Sequence, residues 1–157
     1  MDTDSMYMAL AGDTIDSLVR PELKEQFLQE RGLWLVADGD EYNEKTPGLF
    51  KIEFTGTALI ALAPKMYFVV GDEEQFLRSK KRSKVSCKGT NKKQNVDLLT
   101  YDNFKKVLDG QIKKEFIQMV NKGFRCYRTQ LYQYEQRREG LSNKQDKRRR
   151  LPDGRRT

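Results

Sequence analysis

Asp2 and Asp4 flank Thr3 and precede Ser5, so two carboxylates stand at positions i and i+2. On an extended backbone such side chains point the same way and can approach one divalent ion together. Asp-x-Asp also occurs in turns and solvated loops, so the pair gains meaning only from the segments downstream of it. The chain contains no histidine, and Cys87 and Cys126 stand 39 positions apart. His-based catalysis and a Cys/His zinc site are therefore excluded, and any metal must be held by oxygen.

Two further groups could do chemistry. In the segment 65–70, KMYFVV, strand alternation places Lys65, Tyr67 and Val69 on one face and Met66, Phe68 and Val70 on the other. The apolar face can be buried while Lys65 and Tyr67 project together, a cation beside a hydroxyl-bearing ring that suits a sugar-phosphate edge. Between Ser79 and Lys93 lie seven basic residues and no acidic one: Lys80, Lys81, Arg82, Lys84, Lys88, Lys92 and Lys93. Their composition reads as an exposed loop whose cations gain most by meeting phosphates. A solvated basic loop or a nuclear-import signal has the same composition.

The elements that must position these groups can be read from periodicity. Phe50, Ile52 and Phe54 alternate with polar residues between Gly48 and Gly56, the period of a half-buried strand. Upstream, 13–16 can cap a helix with Ile15, Leu18 and Val19 as its apolar stripe. Pro21 should interrupt it and start a second helix that buries Leu23, Phe27 and Leu28 and stops near Gly32. Residues 36–47 read as a polar loop. Phe104, Val107 and Leu108 predict a short helix from Thr100, and Phe116, Met119 and Val120 predict another before Gly123. Phe124, Cys126, Thr129, Leu131, Tyr132 and Tyr134 suit strands, and from Asn143 onward the chain is too charged to predict a stable fold.

Charge divides the molecule. Residues 1–78 carry 7 Lys or Arg against 15 Asp or Glu, a net of −8, whereas 79–157 carry 23 against 8, a net of +15.

The order DTDS, TPGLFKIEF (46–54), PKMYF (64–68) and SCKGTNKKQN (86–95) resembles the C-terminal part of a family B DNA polymerase. The protein-primed branch of viruses, linear plasmids and Polinton (Maverick) transposons is the most similar, and YEQRREGLS (134–142) with KRRRLPDGRRT (147–157) resembles its transposon-type closing segment. The resemblance implies an α+β fold: a partial palm of strands with packed helices over 1–78, a small thumb-like DNA-binding subdomain over 79–142, and a basic tail over 143–157. It implies that DTDS is the third palm motif, with Asp4 a direct Mg²⁺ ligand and Asp2 supporting the field near the primer end, and that Lys65 and Tyr67 contact the primer strand. The implied chemistry is template-directed nucleotidyl transfer by two metal ions, with a DNA primer-template, a deoxynucleoside triphosphate and, in this branch, a terminal protein primer as partners. The third metal ligand and the nucleotide-gripping motif of the family belong to earlier segments. Met1 stands inside the motif, so the expectation is a truncated gene model or a decayed transposon remnant, inactive as a polymerase without the N-terminal portion.

Two other classes fit parts of the chain. Phosphatases with an aspartyl nucleophile use Asp-x-Asp after an apolar strand, but continue with Thr or Val where this chain has Met6. A non-catalytic nucleic-acid-binding protein would use only the basic half and assign no role to Asp2 and Asp4. The sequence shows no signal peptide and no apolar stretch of membrane-spanning length, from which a soluble, intracellular protein with no membrane partner is expected, a nuclear location being compatible with the basic run.

Overall fold

The computed structural model describes residues 5–12, 14–37, 40, 42–112 and 116–143, which fall into two compact units divided between Glu53 and Phe54. The fold is α+β, with two small antiparallel sheets and short helices. No described helix is long and apolar enough to cross a membrane. Residues 54–78 and 79–142 lie in the same unit.

The first unit is built on short helices. Thr14 caps α1 (Ile15–Leu18), its hydroxyl accepting the Ser17 N–H at 3.2 Å, and Pro21 opens a 3₁₀ turn that leads into α2 (Lys24–Glu30). Arg31 grips Asp16 with bonds of 2.9 and 3.1 Å, and the Phe27 and Trp34 rings meet edge to face at 5.8 Å. Leu23 and Leu28, expected to be buried with Phe27, are about half exposed. Apolar spacing decides which side chains share a helix face; it does not supply a surface to cover them.

Residues 50–54, expected to be a strand, form only a single bridge between Phe50 and Leu35. The strand is instead β1 (Gly56–Ala63), which pairs antiparallel with β2 (Met66–Gly71) from Gly56 opposite Gly71 to Ala63 opposite Met66. The ladder ends there because β2 stops at Gly71, where Asp72 caps α3 (Glu73–Ser79). The Thr55 N–H, which would have extended it, donates to the buried side chain of Gln75 at 3.0 Å.

The basic stretch 79–93, expected to be a loop, contains a strand. Ser83–Cys87 forms β3 on the far side of β2, with Lys84 opposite Val69 and Ser86 opposite Tyr67. Its alternation of Lys84 and Ser86 outward with Val85 and Cys87 toward the core is real, but the surrounding charge masks it. Thr100 caps α4 (Tyr101–Leu108), whose Phe104 and Val107 are fully buried while Leu108 faces outward. Phe68 meets Phe104 at 5.7 Å and Tyr101 at 5.9 Å between ring centroids.

Residues 116–120, expected to be helical, open the long strand β4 (Phe116–Tyr127), which returns as β5 (Gln130–Ser142). The spacing of Phe116, Met119 and Val120 fits a helical stripe, but a long partner strand across a two-residue turn supplies a ladder that overrides it. Met119 and Leu141 at the hairpin base close the core formed by Ile60, Leu62, Phe68, Cys87, Leu99, Phe104 and Val107. A bulge there leaves Gly140 without a cross-strand partner, and the Met119 side chain lies in the space a Cβ at 140 would occupy. The residues expected to form a basic tail lie, beyond Asn143, outside the described residues.

Candidate nucleic-acid interface

Met66, Phe68 and Val70 pack on the core, as strand alternation requires, and Tyr67 lies on the opposite face of β2 between Ala61 and Ser86. Lys65 is not the next strand residue on that face. It sits one step earlier, as the second residue of the two-residue Pro64–Lys65 turn, with φ at +62°. A proline followed by positive φ is what a type II turn demands, and glycine or asparagine is the usual second residue. A lysine there costs about 1–2 kcal/mol relative to an ordinary conformation. The turn is then fixed from the other side: the Lys65 carbonyl accepts the Lys88 N–H and the Ser86 hydroxyl, both at 3.1 Å. Lys65, Tyr67, Ser86 and Lys88 are thus brought to one end of the sheet by backbone geometry.

Threading through β3 divides the expected basic patch. Lys80, Lys81 and Arg82 precede the strand and Lys88, Lys92 and Lys93 come after it, with Lys84 midway. At roughly 3.4 Å per residue, Arg82 and Lys88 stand about 20 Å apart. At the first end, Lys80 ends α3 in the left-handed conformation with φ at +57°, and Arg82 stacks 4.1 Å above the Phe76 ring, with the Lys80 ammonium at 5.8 Å. Stacking holds the guanidinium while leaving its hydrogen-bonding edge toward solvent. At the second end, the Lys92 ammonium donates to the Val85 carbonyl at 2.8 Å on the outer edge of β3, so it covers an open strand edge as well as adding charge. Lys65, Lys88 and Lys93 are exposed.

The turn and loop that carry Lys88, Lys92 and Lys93 are held by side chains that sequence reasoning missed. Asn95, only 3% exposed, binds Val120 twice: its Oδ1 accepts the Val120 N–H at 3.0 Å and its Nδ2 donates to the Val120 carbonyl at 2.8 Å. Gln94 does the same to Lys122, at 2.7 and 3.0 Å. Two side-chain amides therefore take the place of a neighbouring strand along the edge of β4. Asn121 returns the grip, accepting the Asn91 N–H at 2.8 Å and donating to the Gly89 carbonyl at 2.7 Å, and Arg138 donates to that same carbonyl at 3.2 Å. The only sequence signal for this clamp was the density of amides in 91–95, which composition alone assigns to a loop.

Asp2 and Asp4 lie outside the described residues. Among the described residues, no group of three or more His, Cys, Asp or Glu side chains stands close enough to hold a metal ion. Asp72, the acidic residue closest in sequence to β2, spends its carboxylate on α3, accepting the Gln75 N–H at 2.7 Å and the Thr55 hydroxyl at 3.2 Å. Among the described residues, then, no ligand set is assembled for the Mg²⁺ that the sequence resemblance implies. The chain matches no protein-family model, no curated protein and no solved structure.

Proposed function

We propose that this chain is a DNA-binding portion of a family B DNA polymerase, comprising the end of its palm and its thumb, and that it positions primer-template rather than carrying out chemistry by itself. The observation that carries the binding half of this reading is Lys65: a lysine kept in a strained turn where glycine would be cheaper, and pinned there by β3. On this reading the strain at this exposed cation is offset by a phosphate contact that the lysine makes. Lys88 beside it, and Lys80, Lys81 and Arg82 at the other end of β3, extend the phosphate-binding edge across about 20 Å. The polymerase half rests on the order of the sequence motifs. In it Asp2 and Asp4 would share Mg²⁺ with a carboxylate from an upstream palm segment, so residues 1–157 alone are not expected to extend a primer.

Two measurements test these halves separately. Duplex affinity, titrated across salt, should fall with a log-log slope of about −0.9 per phosphate contacted, and Lys65→Ala with Lys88→Ala should weaken binding and flatten that slope. Unchanged affinity and slope would overturn the interface. In the enzyme completed with an upstream portion, Asp4→Asn should abolish incorporation while DNA binding persists. Retained turnover would remove Asp4 from the catalytic role and leave non-catalytic nucleic-acid binding through the basic half as the better reading of this chain.

A further inference from the structure

The hairpin of β4 and β5 runs well beyond the core it helps to close. Between Met119 and Gly140 no hairpin residue is buried, so roughly 20 Å of two-stranded ribbon stands without a covering layer. An isolated hairpin is marginal in water, and apolar side chains on it need a reason. The register assigns the side chains to faces. Gly123, Arg125 and Tyr127 on β4 lie opposite Tyr134, Tyr132 and Gln130 on β5, and all six share one face. Tyr127 is 61% exposed and Tyr132 47%. Tyr134 lies across Gly123, where an added Cβ would come within 3.0 Å of its ring, and the Arg125 guanidinium sits 4.5 Å above that ring.

The tip of the hairpin has the same character. Arg128 and Thr129 form the two-residue turn with φ at +45° and +68°, a conformation that normally selects Asn-Gly. Arg128 stands 5.3 Å from the Tyr127 ring. The face therefore alternates exposed rings with guanidinium groups, on a hairpin that carries Lys122, Arg125, Arg128, Arg137 and Arg138 against only Glu135 and Glu139.

We propose that this face is a stacking platform for a single-stranded nucleic acid segment. Tyr127 and Tyr132 are diagonal cross-strand neighbours, about 7–8 Å apart and close to two base-stacking steps, so a base can enter between their exposed rings, while Tyr134, covered by Arg125, supports that guanidinium. Every base offers a π-face, and Arg125 and Arg128 meet the backbone charge that a neutral peptide would lack. Duplex DNA keeps its bases stacked on one another and cannot use the rings. The platform is separate from the phosphate-binding edge along β3 and is tested by different residues and a different ligand.

The test uses the full chain with fluorescently labelled oligo-dT and, in parallel, a labelled duplex, both followed by anisotropy across salt. Tyr132→Ala and Tyr127→Ala should each weaken oligo-dT binding by about five- to a hundredfold with the salt slope unchanged, since stacking releases no counterions. Tyr132→Phe should restore binding, Tyr132→Leu should not, and Phe124→Ala on the opposite face should have no effect. Duplex affinity should stay constant throughout. Unchanged oligo-dT affinity in the Tyr127→Ala/Tyr132→Ala variant, full binding by Tyr132→Leu, or an equal loss with Phe124→Ala would each overturn the proposal. Because these side chains are exposed, melting temperatures should match the parent; were the double variant to melt lower, the Tyr132→Phe and Tyr132→Leu pair still decides between stacking and bulk.

Discussion

Replacing Asn95 by aspartate tests the amide clamp with almost no change of shape. In the native chain Nδ2 donates to two carbonyls, Asn91 at 2.9 Å and Val120 at 2.8 Å, while Oδ1 accepts the Val120 N–H at 3.0 Å. Asn95→Asp keeps the acceptor and turns the double donor into a carboxylate oxygen facing two carbonyl oxygens. Two hydrogen bonds are lost at about 1 kcal/mol each, and two part-buried acceptors are left facing negative charge, for a total of about 3–4 kcal/mol at neutral pH. That is a large share of the roughly 5–15 kcal/mol typical of a folded domain. Protonation should restore one donor, so the folded state should raise this carboxyl above its ordinary value of about 4. For a raised carboxyl the ionisation part of the penalty is full above the folded pKa and vanishes as pH falls below the unfolded one. Urea unfolding of the parent and Asn95→Asp across pH should therefore show a stability gap that narrows on acidification to about the worth of the one hydrogen bond still missing, together with faster amide exchange at Val120 near neutrality. A gap below about 1 kcal/mol at neutral pH, or one that does not change with pH, would refute the clamp.

Three other outcomes are expected. Gly140→Ala should lower stability by about 1–3 kcal/mol, because the new Cβ meets the buried Met119 side chain and stands 3.0 Å from the Ile117 carbonyl, and Met119→Ala in the same chain should recover part of the loss; thermal melting reads both. Lys65→Gly should stabilise the Pro64–Lys65 turn by about 1 kcal/mol while weakening DNA binding, a divergence between melting and affinity that a merely structural lysine would not produce. The Asp40 carboxyl is held below its ordinary value chiefly by the Asn43 side chain, with the Asn43 and Tyr42 backbone N–H groups assisting. A lowered carboxyl contributes stability that is full above the ordinary range and is lost as pH falls through the lowered value. The Asn43 amide resonance should accordingly move at a pH below that of a free aspartate, and Asp40→Ala should remove the step.

What the sequence settled by itself was local. Thr14 and Thr100 announce helix starts because a hydroxyl needs only an N–H three residues away, and the alternation of Met66, Phe68 and Val70 marks a buried strand face because successive side chains must point oppositely. The charge division between the two halves and the acidic pair at Asp2 and Asp4 are likewise properties of composition and order. Tertiary structure decided whatever depended on a distant partner. Residues 116–120 satisfy a helical period and become a strand because 130–142 offers a ladder. The basic run contains β3 because β2 has a free edge that Val85 and Cys87 can reach from the core side. Asn95 and Gln94 look like loop residues until Val120 and Lys122 present backbone groups to them across 25 and 28 positions of chain. Periodicity reports a side chain's own direction and says nothing of what stands opposite; the interface edge, the clamp and the exposed ribbon are all facts about what stands opposite.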